Sequence, residues 1–181
     1  MSDPGYVRNS RRTTYENAWL RFEAHDMVHP NGHVGEHGVV VTPRASAVLV
    51  LDGDDVVLTR QARYAIDRVV LEIVKGGSEP HESAQAAAAR ELREELGLEA
   101  ARWDDLGITY EIPSIVQEGV ALFLARDVHA VAADPEEVET IVAVRMPFEE
   151  ALRAAGRGDI TDAVTAVALL RVAQRLAGER A

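Results

Sequence analysis

The sequence predicts an α/β fold, a sandwich of helices around a mixed β-sheet that is preceded by an N-terminal β-hairpin. Apolar segments of strand length recur between clusters of Gly, Pro, Asn and Asp, the punctuation of a sheet rather than of a helical bundle. Three stretches, near 84–96, 147–155 and 160–177, carry apolar residues at helical spacing instead. With 181 residues, 47% of them hydrophobic, the chain can bury a sizeable core.

Residues 1–12 are polar and read as a flexible N-terminus. Segments 19–28 and 34–42 flank His29-Pro30-Asn31-Gly32, a strong turn signal, so 13–42 reads as a hairpin unit. His25, His29, His33 and His37 recur every fourth position, which on a helix would suggest metal ligands. The turn breaks any such helix and leaves the four on solvated hairpin edges. Residues 43–181 are expected to form the main α/β domain. It opens with a second hairpin, 45–51 with 56–61, across Asp52-Gly53-Asp54-Asp55. A strand over 69–74 feeds the first helix, and segments near 106–112, 120–125 and 141–147 are again of strand length. In the last helix Val164, Val167 and Leu170 fall at core spacing.

The chemistry concentrates in the run from Gly76 to Leu98, GGSEPHESAQAAAARELREELGL. Ser83 is a fitting N-cap, and Gly97 sits where a left-handed residue would end the helix. At 100° per residue Glu91, Glu94 and Glu95 fall within an arc of about 100°, beside an apolar ridge of Ala88, Leu92 and Leu96. The helix can therefore pack on one side and present a carboxylate cluster on another. Like charges at i,i+4 repel, so Glu91 and Glu95 gain from a shared cation. Hard divalent ions such as Mg²⁺ prefer oxygen ligands and bridge to substrate phosphates.

This run resembles the Nudix box, G-x5-E-x7-R-E-U-x-E-E-x-G-U with U apolar, and every fixed position is filled. The resemblance implies a Nudix α/β/α sandwich and an Mg²⁺-dependent hydrolase, with Mn²⁺ as an alternative, acting on nucleoside diphosphates linked to another moiety. By the same resemblance Glu91, Glu94 and Glu95 are metal ligands and the Lys75 carbonyl is a further one. Glu82 with Arg90 would brace the loop against the helix, and Gly76 would let the backbone turn beside the metal.

Over nearly the whole chain the order of elements is similar to the ADP-ribose pyrophosphatase branch of that family. The narrower likeness is carried by YENAWLRF at 15–22, the PNG turn, Gln61 with Arg63, LEIVKG at 71–76, GDITDAVTAVALL near the end, and Pro113, fifteen residues beyond Leu98. It implies that Glu118 helps activate water or completes the metal site, and that either Glu118 or a box glutamate such as Glu94 accepts the proton. Arg63 would reach substrate phosphates, Glu72 would stand near base or ribose, and the Lys75 side chain could swing toward the diphosphate or remain in solvent. The chain departs from the branch in having Val74-Lys75-Gly76 for Pro-Ala-Gly and Pro113-Ser114 for Pro-Gly. The Lys-Gly form is similar to relatives acting on broader ADP compounds, including dinucleoside polyphosphates and NADH. Relatives in this branch pair through N-terminal strands, so a homodimer is expected.

Net charge is −11, with eighteen arginines and one lysine, Lys75, which argues against a nucleic-acid surface. An anionic substrate must then be attracted locally. Residues 99–181 hold eight basic and fifteen acidic side chains and leave no basic recognition helix, so a Nudix-derived DNA-binding sensor is disfavoured. No long apolar run or apolar signal core is seen, and cysteine is absent, so a cytoplasmic protein without a membrane span is expected. A triphosphate or GDP-sugar hydrolase on the same fold stays open, since the box handles the diphosphate and other residues read the base.

Overall fold

A strand absent from the sequence expectations, β1 (Val7–Glu16), opens the chain in the computed structural model, which describes residues 4–132 and 141–179. Residues 7–12 are thus the first part of a strand rather than a flexible end, while residues 1–3 of that expected terminus lie outside the described residues. All ten residues of β1 are exposed, so no apolar alternation announces it. Backbone pairing with β2 (Arg21–Val28) holds it, aided by cross-strand contacts such as Ser10 Oγ to Asp26 and Arg11 to Glu23. The expected hairpin follows, β2 pairing antiparallel with β3 (Val34–Val41). Its turn is closed by the Gly32 amide on His29 O at 2.8 Å, with Gly32 at φ 83°.

These three strands and the later segment Tyr110–Gly119 make one compact unit, Met1–Pro43 with Tyr110–Gly119. The segment runs beside β3, where the Val40 amide donates to Ile115 O at 2.7 Å and the Gln117 amide to Val40 O at 3.0 Å. One histidine departs from the solvated edge expected for it. His25 is buried, with Nε2 2.8 Å from Oε2 of the buried Glu23, whose Oε1 accepts from Arg21 Nε at 2.7 Å. Burial of this carboxylate is matched by partners on two sides.

The second unit, Arg44–Thr109 with Val120–Ala181, carries a seven-stranded mixed sheet. Its strands are β4 (Ala45–Asp52), β5 (Asp55–Arg63), β6 (Arg68–Glu72), β7 (Val74–Gly77), β8 (Leu98–Thr109), β9 (Val120–Ala130) and β10 (Val142–Pro147). The order is β10-β5-β4-β9-β8, with β6 on β5 and β7 on β4. Only the β4–β9 pair is parallel. The helices are α1 (Ala84–Leu96), α2 (Phe148–Arg157) and α3 (Ala163–Glu179).

Alternation along β4 builds both faces. Ala47, Leu49 and Leu51 pack with Phe148, Ala151, Val164 and Leu169 of α2 and α3, whereas Val48 and Val50 pack with Ala88 and Leu92 of α1. Helices thus cover the sheet on both sides, as expected for the α/β/α sandwich. Full burial of Leu92 contributes roughly 2 kcal/mol and fixes which face of α1 looks inward. The expected strand over 69–74 is broken at Ile73, so that β6 pairs with β5 while β7 turns to β4. The Ile73 amide leaves the sheet ladder for Thr165 Oγ1 at 2.9 Å. That break brings Lys75 and Gly76 beside α1.

Candidate active site

Helix α1 begins where Ser83 Oγ accepts from the Ala86 amide at 3.1 Å, and ends at Gly97, at φ 59°, whose amide bonds Leu92 O and Arg93 O. Both caps coincide with the positions read from the sequence. With Ala87, Ala88 and Leu92 buried, Glu91, Glu94 and Glu95 lie along the half-buried flank.

Gly76 meets this flank edge on. A Cβ built on Gly76 would stand 2.1 Å from Glu91 Cδ and Oε1, a distance no side chain tolerates. An alanine at 76 would therefore force the Glu91 side chain out of this place, and glycine leaves it there. Arg90 ties the loop to the helix. Its Nη2 donates to Gly77 O at 2.7 Å and pairs with Glu82 at 3.3 Å, while Nη1 donates to Glu91 at 2.8 Å and Glu94 at 2.9 Å. Glu82 in turn accepts from the Glu79 amide at 2.9 Å. That amide first, then Arg90, hold the Glu82 carboxyl below its ordinary range. Partial burial works to lower the Arg90 pKa, but Glu82 and Glu91 outweigh it and hold the guanidinium above its ordinary value. The brace stays charged at every working pH.

Among the described residues no three acidic or imidazole side chains converge in metal-binding geometry. Glu91 and Glu94 each accept from Arg90 Nη1 through one oxygen, which gathers the two carboxylates on one side of the helix. The donor set nonetheless fits a hard divalent ion, being all oxygen, and Gly76 leaves the carboxylate room to approach the backbone.

On the opposite face of β7 the Lys75 side chain enters a buried chain of charges, since successive strand residues alternate faces. Its Nζ pairs with Glu72 Oε2 at 2.9 Å and with Asp162 Oδ1. Glu72, 2% exposed, also accepts from Arg63 Nε at 2.7 Å. Asp162 Oδ2 caps α3, accepting from the Thr165 amide at 2.8 Å and its hydroxyl at 2.6 Å. Burial works to lower the Lys75 pKa, but Asp162 and then Glu72 raise it above 10.5. Burial likewise works to raise the Asp162 pKa, and Lys75 overrides it, holding the carboxyl below 3.8. The Lys75 side chain is thus not left in solvent but pinned between two carboxylates. Asp162 is the member the sequence reading missed; Asp162-x-x-Thr165 ahead of an apolar helical run signals the cap of α3 but not the pairing with Lys75.

Glu118 belongs to the Tyr110–Gly119 segment of the first unit, where its Oε1 accepts from Gln117 Nε2 at 3.1 Å. That unit also holds two concavities, of about 370 and 490 Å³, both lined by His25, His37, Pro113 and Ser114. Neither is lined by a box residue, so they are not taken as the reaction site despite their size.

Residues 41–166 match the model of the NUDIX domain family. The chain is 31% identical over 147 residues to an ADP-ribose pyrophosphatase of Bacillus subtilis, covering 80% of each chain. It is 28% identical over 181 residues to an ADP-ribose pyrophosphatase of Mycobacterium tuberculosis, covering 95% of this chain and 85% of that one. Among solved structures, an ADP compounds hydrolase superposes with a TM-score of 0.85 at 24% identity, covering 99% of this chain and 98% of the other. That likeness establishes the fold.

Proposed function

The chain belongs to the Nudix family, and from that premise we propose that it is a divalent-metal-dependent pyrophosphohydrolase cleaving a nucleoside diphosphate linked to a sugar, ADP-ribose to AMP and ribose 5-phosphate. The observation that carries this reading is the fit of Glu91 into the space of the missing Gly76 side chain, with Arg90 bracing loop and helix. Glu91, Glu94, Glu95 and the Lys75 carbonyl would hold Mg²⁺ or Mn²⁺. When bound, the ion offsets diphosphate charge and lowers the pKa of water.

The protein's own residues supply the rest. Arg90 holds Glu91 and Glu94 together and is itself held by Glu82. Water attacks a phosphorus, the anhydride P–O bond breaks toward the leaving phosphate, and a carboxylate, Glu118 or a box glutamate such as Glu94, accepts the proton. Arg63 is the most open member of the buried charge chain, with 37% of its side chain exposed, and takes the phosphate contact while Glu72 orients it. Lys75 would offer its carbonyl to the metal, and its side chain aligns that strand.

Lys75-Gly76 favours a second reading within the same chemistry, hydrolysis of broader ADP compounds such as NADH or dinucleoside polyphosphates. Incubation with ADP-ribose, NADH, dinucleoside polyphosphates, GDP-mannose and nucleoside triphosphates, with Mg²⁺ or with EDTA, separates the readings by mass spectrometry of products. AMP and ribose 5-phosphate, formed fastest from ADP-ribose and only with the metal, are expected. Failure to cleave any member of the panel would reject the enzyme in favour of a ligand sensor.

A further inference from the structure

Ser46 stands on β4 directly opposite Gly76 of β7. Its hydroxyl is fully buried and has no hydrogen-bond partner among the described residues. The other buried atom in that condition, Arg126 Nε, belongs to a guanidinium already held by Asp104 and Glu179. Ser46 is different, because its only polar side-chain atom is the orphan.

Directly opposed residues of an antiparallel pair share a face, with Cβ atoms about 4.5–5.5 Å apart. On that face, at Gly76, the space of a Cβ is filled by the Glu91 carboxylate. The Ser46 hydroxyl and the Glu91 carboxylate therefore occupy adjoining volumes beneath α1, where the rest of the face is Val48, Val74 and Leu92. A hydroxyl in such apolar company is costly unless something accepts its proton.

We propose that Ser46 is a positioning residue for Glu91, its Oγ–H donating to the carboxylate oxygen that a bound divalent cation does not take. The inference rests on Glu91 being a metal ligand as proposed above. Carboxylates that bind metals are themselves hydrogen-bonded, and loss of such a partner typically lowers metal affinity about 10- to 100-fold. Arg90 supplies one donor to Glu91, from the loop side. Ser46 supplies a further one, from the sheet.

Ser46→Ala tests this without substrate, by Mn²⁺ titration calorimetry and by thermal unfolding of the metal-free protein. The expected result is a Mn²⁺ Kd raised about 10- to 100-fold with the metal-free Tm unchanged or higher, since the variant removes an unpaired buried hydroxyl. In a Glu91→Ala background the same substitution should change the Kd less than about twofold, as expected when one residue acts through the other. Unchanged Mn²⁺ affinity in Ser46→Ala, with Glu91→Ala weakened, would overturn the inference alone. A lower metal-free Tm with equal loss of affinity in both backgrounds would also overturn it, by assigning the hydroxyl to the scaffold. Undiminished binding in Glu91→Ala would instead remove the metal-ligand reading, and this inference with it.

Discussion

Gly76 and Glu91 show how one missing atom can decide a site. A Cβ at position 76 would occupy the carboxylate's place, so Gly76→Ala should displace Glu91 and lower kcat at least about a hundredfold while the fold survives. Circular dichroism with steady-state kinetics checks both halves, and an active alanine variant would show that Glu91 works from another position. Glu91→Gln or Glu95→Gln removes a charge with little change of shape, and either should lower kcat at least about a thousandfold. Retention of more than about a tenth of wild-type turnover at saturating Mg²⁺ would end the ligand assignment. For Glu118→Gln the expected loss is about 10²- to 10⁴-fold in kcat with substrate binding kept, and an unchanged rate would move the proton to the box helix. The helix caps and the Glu82–Arg90 brace were legible because the box fixes residue type and spacing together. Ser46 and Asp162 were not, since a lone Ser in an apolar strand and an N-cap Asp carry no spacing that points to Gly76 or Lys75.

Between elements, the Lys75–Asp162 pair fastens β7 to the start of α3. Asp162→Asn isolates its charge, because Asn also caps helices well. The Asp162 carboxyl, held below 3.8, adds stability that is full above that pH and lost as pH falls through the lower folded value. Lys75, held above 10.5, adds stability that is full below that pH and lost as pH rises through the higher folded value. Urea unfolding should therefore show the variant about 2 kcal/mol less stable at pH 7, with the gap closing as pH falls well below 3.8. An equal gap at pH 7 and pH 2.5 would mean that the charge is not what stabilises. At this scale the sequence was readable where one face is buried, as in β4, whose alternating residues pack on opposite sides. It was silent where no face is buried. Strand β1 is exposed throughout, and the break at Ile73 depends on Thr165, 92 residues away.

For the whole molecule, apolar exposure is unevenly shared between the two units. Of the fifteen exposed large hydrophobic residues among the described ones, nine lie in Met1–Pro43 with Tyr110–Gly119, the unit with far fewer residues. They include Trp19, 76% exposed, together with Tyr15, Phe22 and Val34. The same unit ends in β1, a ten-residue edge strand whose outer backbone groups have no neighbouring strand among the described residues. A long open edge beside apolar side chains is a surface that chains either blunt or pair. The charges on β1, among them Arg8, Arg11 and Arg12, guard against indiscriminate edge pairing without covering the aromatic groups. A closed two-fold pair of chains would cover them and limit growth to two. The protein should therefore scatter light as a species of about twice 19.7 kDa at micromolar concentration. Trp19→Arg combined with Val34→Arg should weaken that pairing by placing like charges in a buried face, moving the mass toward 19.7 kDa while Mn²⁺ binding at the box persists. A wild-type mass near 20 kDa throughout the micromolar range would leave the N-terminal unit without the partner its surface calls for.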